Sequence, residues 1–125
     1  MFDNQTYDRF SPADDITVHA AKAVKGRHLV AFTGNETDGH AQVQPATAGS
    51  YPAGVAAYDA TEGNLVGLKR GNRVITVAAS SDIPSGTAVE VGEDGTVIAH
   101  TSGQIVGTVY AKGDIAGTVL VAINL

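Results

Sequence analysis

Four histidines, His19, His28, His40 and His100, are the side chains best suited to acid–base or metal chemistry near neutral pH. No two of them form an H-x-H or H-E-x-x-H arrangement, the spacings that bring two ring nitrogens to one side of a strand or a helical turn. His19 and His100 fall in strand-like stretches and His40 in a polar one, so ordinary surface or half-buried roles are expected. Two short segments pair carboxylates, Asp59-Ala60-Thr61-Glu62 and Gly92-Glu93-Asp94-Gly95. Calcium prefers oxygen ligands of this kind but wants six to eight of them, and neither segment continues into an alternating acidic loop. They read as solvated turns. Ser80, Ser81 and Ser85 lack the G-x-S-x-G context of a nucleophile elbow. Neither a G-x-G-x-x-G fingerprint nor a phosphate-binding P-loop occurs. Asn4-Gln5-Thr6 and Asn35-Glu36-Thr37 match the glycosylation triplet, which is frequent by chance. No catalytic, cofactor-binding or metal-ligating residue is expected, and the protein is read as not an enzyme.

The elements that would position any site are short and rich in valine. A small-residue turn, a valine-rich run, a polar Gly/Asp turn and another valine-rich run occur between Lys25 and Val77 and recur, in a cleaner copy, between Ile83 and Leu125. Two units are too few for a solenoid, so one domain with weak internal pseudo-symmetry is expected. Ile16 to His19 and Leu29 to Phe32 alternate as strands do, and Thr33 to His40 carries the Gly, Asn and Asp of a surface loop. Leu65 to Leu68 and Arg73 to Val77 flank Lys69-Arg70-Gly71-Asn72, which predicts a hairpin with a four-residue connection. A second hairpin is expected around Gly92 to Gly95. In the last run, Val119, Val121, Ile123 and Leu125 share one face while Leu120 and Ala122 lie on the other, which predicts a central strand. About nine short strands with turn signals every eight to twelve residues predict an all-β fold, a compact small barrel or sandwich of short hairpins.

Composition narrows the function classes. The 125 residues suit one domain and can bury roughly two thirds of the unfolded surface without staples. With no cysteine, disulfides and thiolate metal sites are excluded. The formal charge of −5, with no basic cluster larger than Lys69, Arg70 and Arg73, argues against nucleic acid, whose backbone demands concentrated cations. No apolar run approaches a membrane span and the start lacks a secretory pattern, so a soluble protein without membrane contact is expected. Only 17% of residues are charged, which suggests that partners cover part of the surface. Residues 1–14 stand apart. They hold Phe2, Tyr7 and Phe10 among polar residues with neither strand nor helix period, and read as an extended N-terminal arm before a β domain over 15–125. These aromatics either fold back on their own domain or dock on a neighbouring chain.

From Asp15 to Leu125 the sequence resembles the small capsid decoration, or cement, proteins of tailed bacteriophages. The residues that carry the resemblance are Ile16-Thr17-Val18 with the alanine-rich step into Gly26, then Tyr51 to Ala56, Asp82 to Val91, Ile105 to Val109 and the terminal run Val119 to Leu125. It implies a virion protein, made in the host cytoplasm, that binds the outer surface of a phage head and stabilises the capsid lattice by bridging major capsid subunits. It also implies association with neighbouring copies, as a homotrimer, and no cofactor. A symmetric lattice would multiply modest contacts through avidity. The alternative is a β-clip-like carbohydrate-binding or adhesion module, since Ile83-Pro84-Ser85-Gly86-Thr87 is similar to the opening of small β-clip domains. Against it, saccharide sites favour exposed aromatic platforms, and this chain has no tryptophan.

Overall fold

The structure, a computed structural model, describes Asn4 and residues 15–125. Ten strands follow one another: β1 (Asp15–Ala20), β2 (Leu29–Thr37), β3 (His40–Pro45), β4 (Gly54–Ala56), β5 (Leu65–Lys69), β6 (Asn72–Ala78), β7 (Ala88–Val91), β8 (Val97–Ala99), β9 (Gly107–Lys112) and β10 (Thr118–Asn124). A single turn of 3-10 helix, Glu93–Gly95, joins β7 to β8. The all-β expectation holds, and both proposed architectures contribute. The first five strands close into a barrel in the order β1-β3-β2-β4-β5, and the last five form a sheet in the order β6-β10-β9-β7-β8.

Strand β1 closes the barrel. It pairs antiparallel with β5, from Asp15 opposite Lys69 to His19 opposite Leu65, and parallel with β3 through His19 and Ala20. A five-stranded barrel is narrow, and its interior is filled by small apolar side chains: Val18, Ala20, Val24, Val30, Val43, Ala53, Ala56, Val66 and Leu68. The second core lies between the barrel and the open sheet. It combines Val77, Val89, Val91, Val97, Val109, Val119, Val121 and Ile123 of the sheet with Leu29, Ala46 and Val55 of the barrel. Alternation along single strands joins the two cores. On β2, Val30 points into the barrel while Leu29 points toward the sheet; on β4, Ala56 and Val55 divide in the same way. The turn at Glu93–Gly95 seals this junction, because Gly95 has φ +74° and a Cβ there would stand 2.5 Å from the Leu29 carbonyl oxygen.

Two sequence expectations are corrected. Lys69 to Asn72 does not close a hairpin. Both edges of β5 are taken, by β1 and β4, and β6 pairs with β10 over seven residue pairs, so these four residues carry the chain from barrel to sheet. The Gly71 N–H accordingly donates to the Leu125 carbonyl rather than across a turn. Likewise, Thr33 to His40 is no loose loop. Strand β2 continues to Thr37 through an irregularity after Phe32, and Asp38-Gly39, with φ of +51° and +80°, makes the two-residue turn into β3. The β7–β8 hairpin and the central position of β10, between β6 and β9, are as expected. The N-terminal arm and its aromatics Phe2, Tyr7 and Phe10 lie outside the described residues.

Strand β5 alternates between Leu68, fully buried in the barrel, and Leu65, about half exposed at its far end. Leu68→Ala should therefore lower unfolding stability in urea by about 2–5 kcal/mol, while Leu65→Ala should cost about 1 kcal/mol or less.

Candidate functional site

The residues first considered for chemistry are not brought together. His19 lies on β1, its Nδ1 buried without a partner, and His40 opens β3. The His28 Nδ1 sits 2.8 Å from the Gly26 carbonyl oxygen, just before β2. The Asp59 carboxylate accepts the Gly26 N–H, and the Ser85 hydroxyl donates to the Tyr110 carbonyl, so both serve local backbone. Among the described residues no group of three or more His, Asp or Glu side chains is placed to hold a metal ion. A cleft of about 80 Å³ between Val24, His28, Leu29, Pro45 and Asp94 is far smaller than the hollows that enclose small-molecule substrates, and larger depressions, such as one of about 690 Å³ along Tyr58, Asp59 and Leu65, are more open to solvent.

One carboxylate does converge with several donors. Glu90 interrupts the valines of β7 and points to the side of the sheet away from the second core, yet only 5% of its surface is exposed. The segment after β8 folds over it. Its Oε1 accepts the Thr101 N–H at 2.6 Å, the Gly103 N–H at 3.0 Å and the Thr101 hydroxyl at 3.3 Å, and the His100 Nδ1 lies 3.2 Å away. The Thr101 N–H, then the Gly103 N–H, hold its pKa below the ordinary carboxylate value against the opposing effect of burial; the Thr101 hydroxyl and His100 add to the lowering. Gly103 is required at this contact, since a Cβ would stand 2.5 Å from the other carboxylate oxygen and 2.6 Å from the Gly49 Cα.

This latch organises the surface beside it. Gly49 donates to the Val91 carbonyl and accepts from the Gln104 N–H, so the segments around Gly49 and Gly103 lie against each other. They present Tyr51 and Ile105, 56% and 54% exposed. The Tyr51 hydroxyl reaches the Asn124 carbonyl at 3.5 Å, and the Asn124 N–H donates to the Val106 carbonyl. Next to Asn124, Leu125 accepts from Gly71; Arg70, beside Gly71, lies over Phe32 with 5.9 Å from its guanidinium carbon to the ring centroid. Phe32 is itself 44% exposed. These contacts link a run of positions from Phe32 and Arg70 through the half-buried Leu125 to Tyr51 and Ile105. It offers apolar and aromatic area around a fixed cation, which suits protein contact and holds no catalytic constellation.

The fold resembles a phage head-fiber base. The chain is similar in structure to the N base of head fiber gp8.5 in bacteriophage phi29, with a TM-score of 0.72 over 88% of this chain and 92% of that chain, at 23% sequence identity. No family model matches the sequence, and no curated protein matches it. The likeness is one of fold, and it extends over nearly the whole of both chains.

Sequence reasoning passed over Glu90 and the face it supports. Alternation assigns Glu90 to an outer surface, and only the return of Thr101 to Gly103 buries it. The usable signal was a lone carboxylate between Val89 and Val91, followed closely by the polar, small Thr101-Ser102-Gly103.

The sign of the pH dependence follows from the lowered pKa. Folded Glu90 holds its proton less readily than unfolded Glu90, so its contribution is complete above the ordinary carboxylate pKa and is lost as pH falls through the folded value. Glu90→Gln should lower the melting temperature at pH 7, and the gap from the unsubstituted protein should shrink as pH falls below the ordinary carboxylate range. Hydrogen exchange at the Thr101 and Gly103 amides should accelerate in the same variant; a gap independent of pH would count against a charged latch.

Proposed function

We propose that this protein is a structural component of a phage head, seated on its outer surface, where it bridges major capsid subunits and stabilises the lattice. The observation that carries this reading is the likeness of fold to the phi29 head-fiber base, which spans both chains almost end to end. The sequence resemblance to capsid decoration proteins, drawn from different information, also supports a protein associated with a phage head. The physical character of the body agrees with a non-catalytic role. Its hydrophobic interior is divided between two small-residue cores, and its convergent polar groups are spent on holding loops.

In this proposal the body provides a rigid platform and residues 1–14 provide anchors, with Phe2, Tyr7 and Phe10 inserting into a capsid subunit or a neighbouring copy. Repetition over the lattice converts weak individual contacts into stable occupancy, and assembly as a homotrimer would add to that effect.

Mixing the purified protein with heads of the phage that encodes it, followed by sedimentation and cryo-electron microscopy, tests the reading. Density for the barrel and sheet on the outside of the shell is expected, together with raised heat resistance of the particles. Deleting Met1 to Ser11 should reduce occupancy and heat resistance together. Full occupancy by the truncated protein would remove the arm from the proposal, and failure of the full chain to sediment with heads would remove the proposal itself.

A further inference from the structure

Strand β6 is paired along one side only, with β10. In an antiparallel ladder the backbone groups of successive residues point to opposite edges, and two hydrogen bonds fix which residues of β6 point outward. The Gly71 N–H donates toward β10, to the Leu125 carbonyl, whereas the Ala78 N–H donates away from it, to the Arg27 carbonyl. Asn72, Val74 and Thr76, in step with Ala78, therefore turn their N–H and C=O groups to the outer edge. Among the described residues none of the three makes a main-chain hydrogen bond there. The edge is closed at one end, by Arg27 at Ala78 and by the bridge of Ala79 with Val97, and lies open from Asn72 to Thr76.

A trough runs beside the open stretch. A depression of about 220 Å³ lies between Ile75 and Thr76 of β6 and Val55, Ala57 and Arg27 beside the barrel. A second, of about 370 Å³, shares Arg27 and Ala57 with the first and extends to Tyr58, whose ring is exposed. The other charged residues along the trough are engaged: Lys69 is ion-paired with Asp15 at 3.1 Å, and the Asp59 carboxylate accepts the Gly26 N–H. Arg27 is exposed and takes part in no ion pair among the described residues. Its backbone stands at φ +66°, a left-handed conformation that glycine adopts without steric cost, so the chain carries a guanidinium at this point against its backbone preference.

We infer that the open edge of β6 is a docking site for an extended, acidic segment of another protein, which adds as a further antiparallel strand beside Asn72 to Thr76 and sets a carboxylate on Arg27. Main-chain hydrogen bonds to Asn72, Val74 and Thr76 supply affinity, and alternate side chains of the added strand enter the trough. Arg27 lies at the Ala78 end, where an antiparallel strand would begin, so the carboxylate belongs near the N-terminal end of the docked segment. A second copy of this chain fits the edge less well. Its β6 carries Arg73 and no carboxylate, and its β8 carries no charge, so neither edge strand brings an anion to Arg27. The inference does not require the phage-head reading.

Nuclear magnetic resonance of the isotopically labelled protein, titrated with a short synthetic peptide, tests it. The probe alternates valine and threonine and carries one glutamate near its N-terminus. The amide signals of Val74 and Thr76 should shift and saturate below about 1 mM probe, and their hydrogen exchange should slow, while Asp114 to Ala116, in the β9–β10 turn, stay in place. Glutamine in place of the probe's glutamate should weaken binding about tenfold, as should Arg27→Gln in the protein, and the two changes together should cost no more than either alone. Methylating the probe's backbone nitrogens at alternate residues should abolish binding in one alternation and spare it in the other, because only one set of N–H groups faces β6. Unmoved Val74 and Thr76 signals would overturn the inference, as would equal binding of the glutamate and glutamine probes or tolerance of both methylation patterns. Shifts at Val74 and Thr76 that grow with protein concentration in the absence of probe would overturn it too, because the occupant would then be a second copy.

Discussion

Closure of the barrel by β1 is the constraint on which the remainder of the structure depends. Once Asp15 to His19 pair with β5 and Ala20 reaches β3, every strand of the first unit has both neighbours, and no edge remains to extend. The chain emerging from Lys69 cannot turn back as a hairpin and must start another sheet. That sheet then needs a surface on which to bury its valines, and the outward side chains Leu29 and Val55 of the barrel supply it. Two cores of modest residues are therefore held together by β4 and the start of β2, Leu29 and Val30, which are buried on both faces.

The open sheet brings its own liability, two edge strands, joined only by a single bridge between Val97 and Ala79. One is only three residues long, β8, and the other, β6, leans against the barrel, where the Ala78 N–H donates to the Arg27 carbonyl. At the β7 side the Glu90 carboxylate draws the following segment down over the sheet and fixes the position of Gly49 and Gly103. A buried carboxylate receiving two backbone N–H groups is a stiff joint, because each donor is left unsatisfied if the segment lifts away. It sets where Tyr51 and Ile105 stand. Electrostatics deep in the sheet and apolar exposure at the surface thus belong to one arrangement.

That arrangement is consistent with a protein whose purpose is contact. The surface gathers side chains from both halves of the chain, Phe32 and Tyr51 from the first, Ile105 and the half-buried Leu125 from the second, and it is held by backbone hydrogen bonds at Leu125 and at Gly49, Gln104 and Val106 beside Tyr51 and Ile105. A fold shared with a phage head-fiber base at 23% identity shows how weakly this fold constrains sequence: valines can exchange so long as the alternation and the tight turns persist.

The sequence by itself determined the fold class, the hairpin across Gly92 to Gly95 and the central position of β10. Each depends on local alternation or on turn chemistry, which neighbouring residues carry among themselves. Tertiary structure alone decided three things. Whether Lys69 to Asn72 reverses or crosses over depends on the occupation of β5's edges by strands far away in the chain, which no window around Gly71 contains. The Thr33 to Thr37 stretch continues β2, despite its loop-like composition, because Glu36 and Thr37 pair with Ala41 and His40 of β3 beyond an irregularity at Thr33 to Asn35. Glu90 is buried because a later segment returns to satisfy it; alternation places a side chain on a face, but only the packed chain settles whether that face meets water.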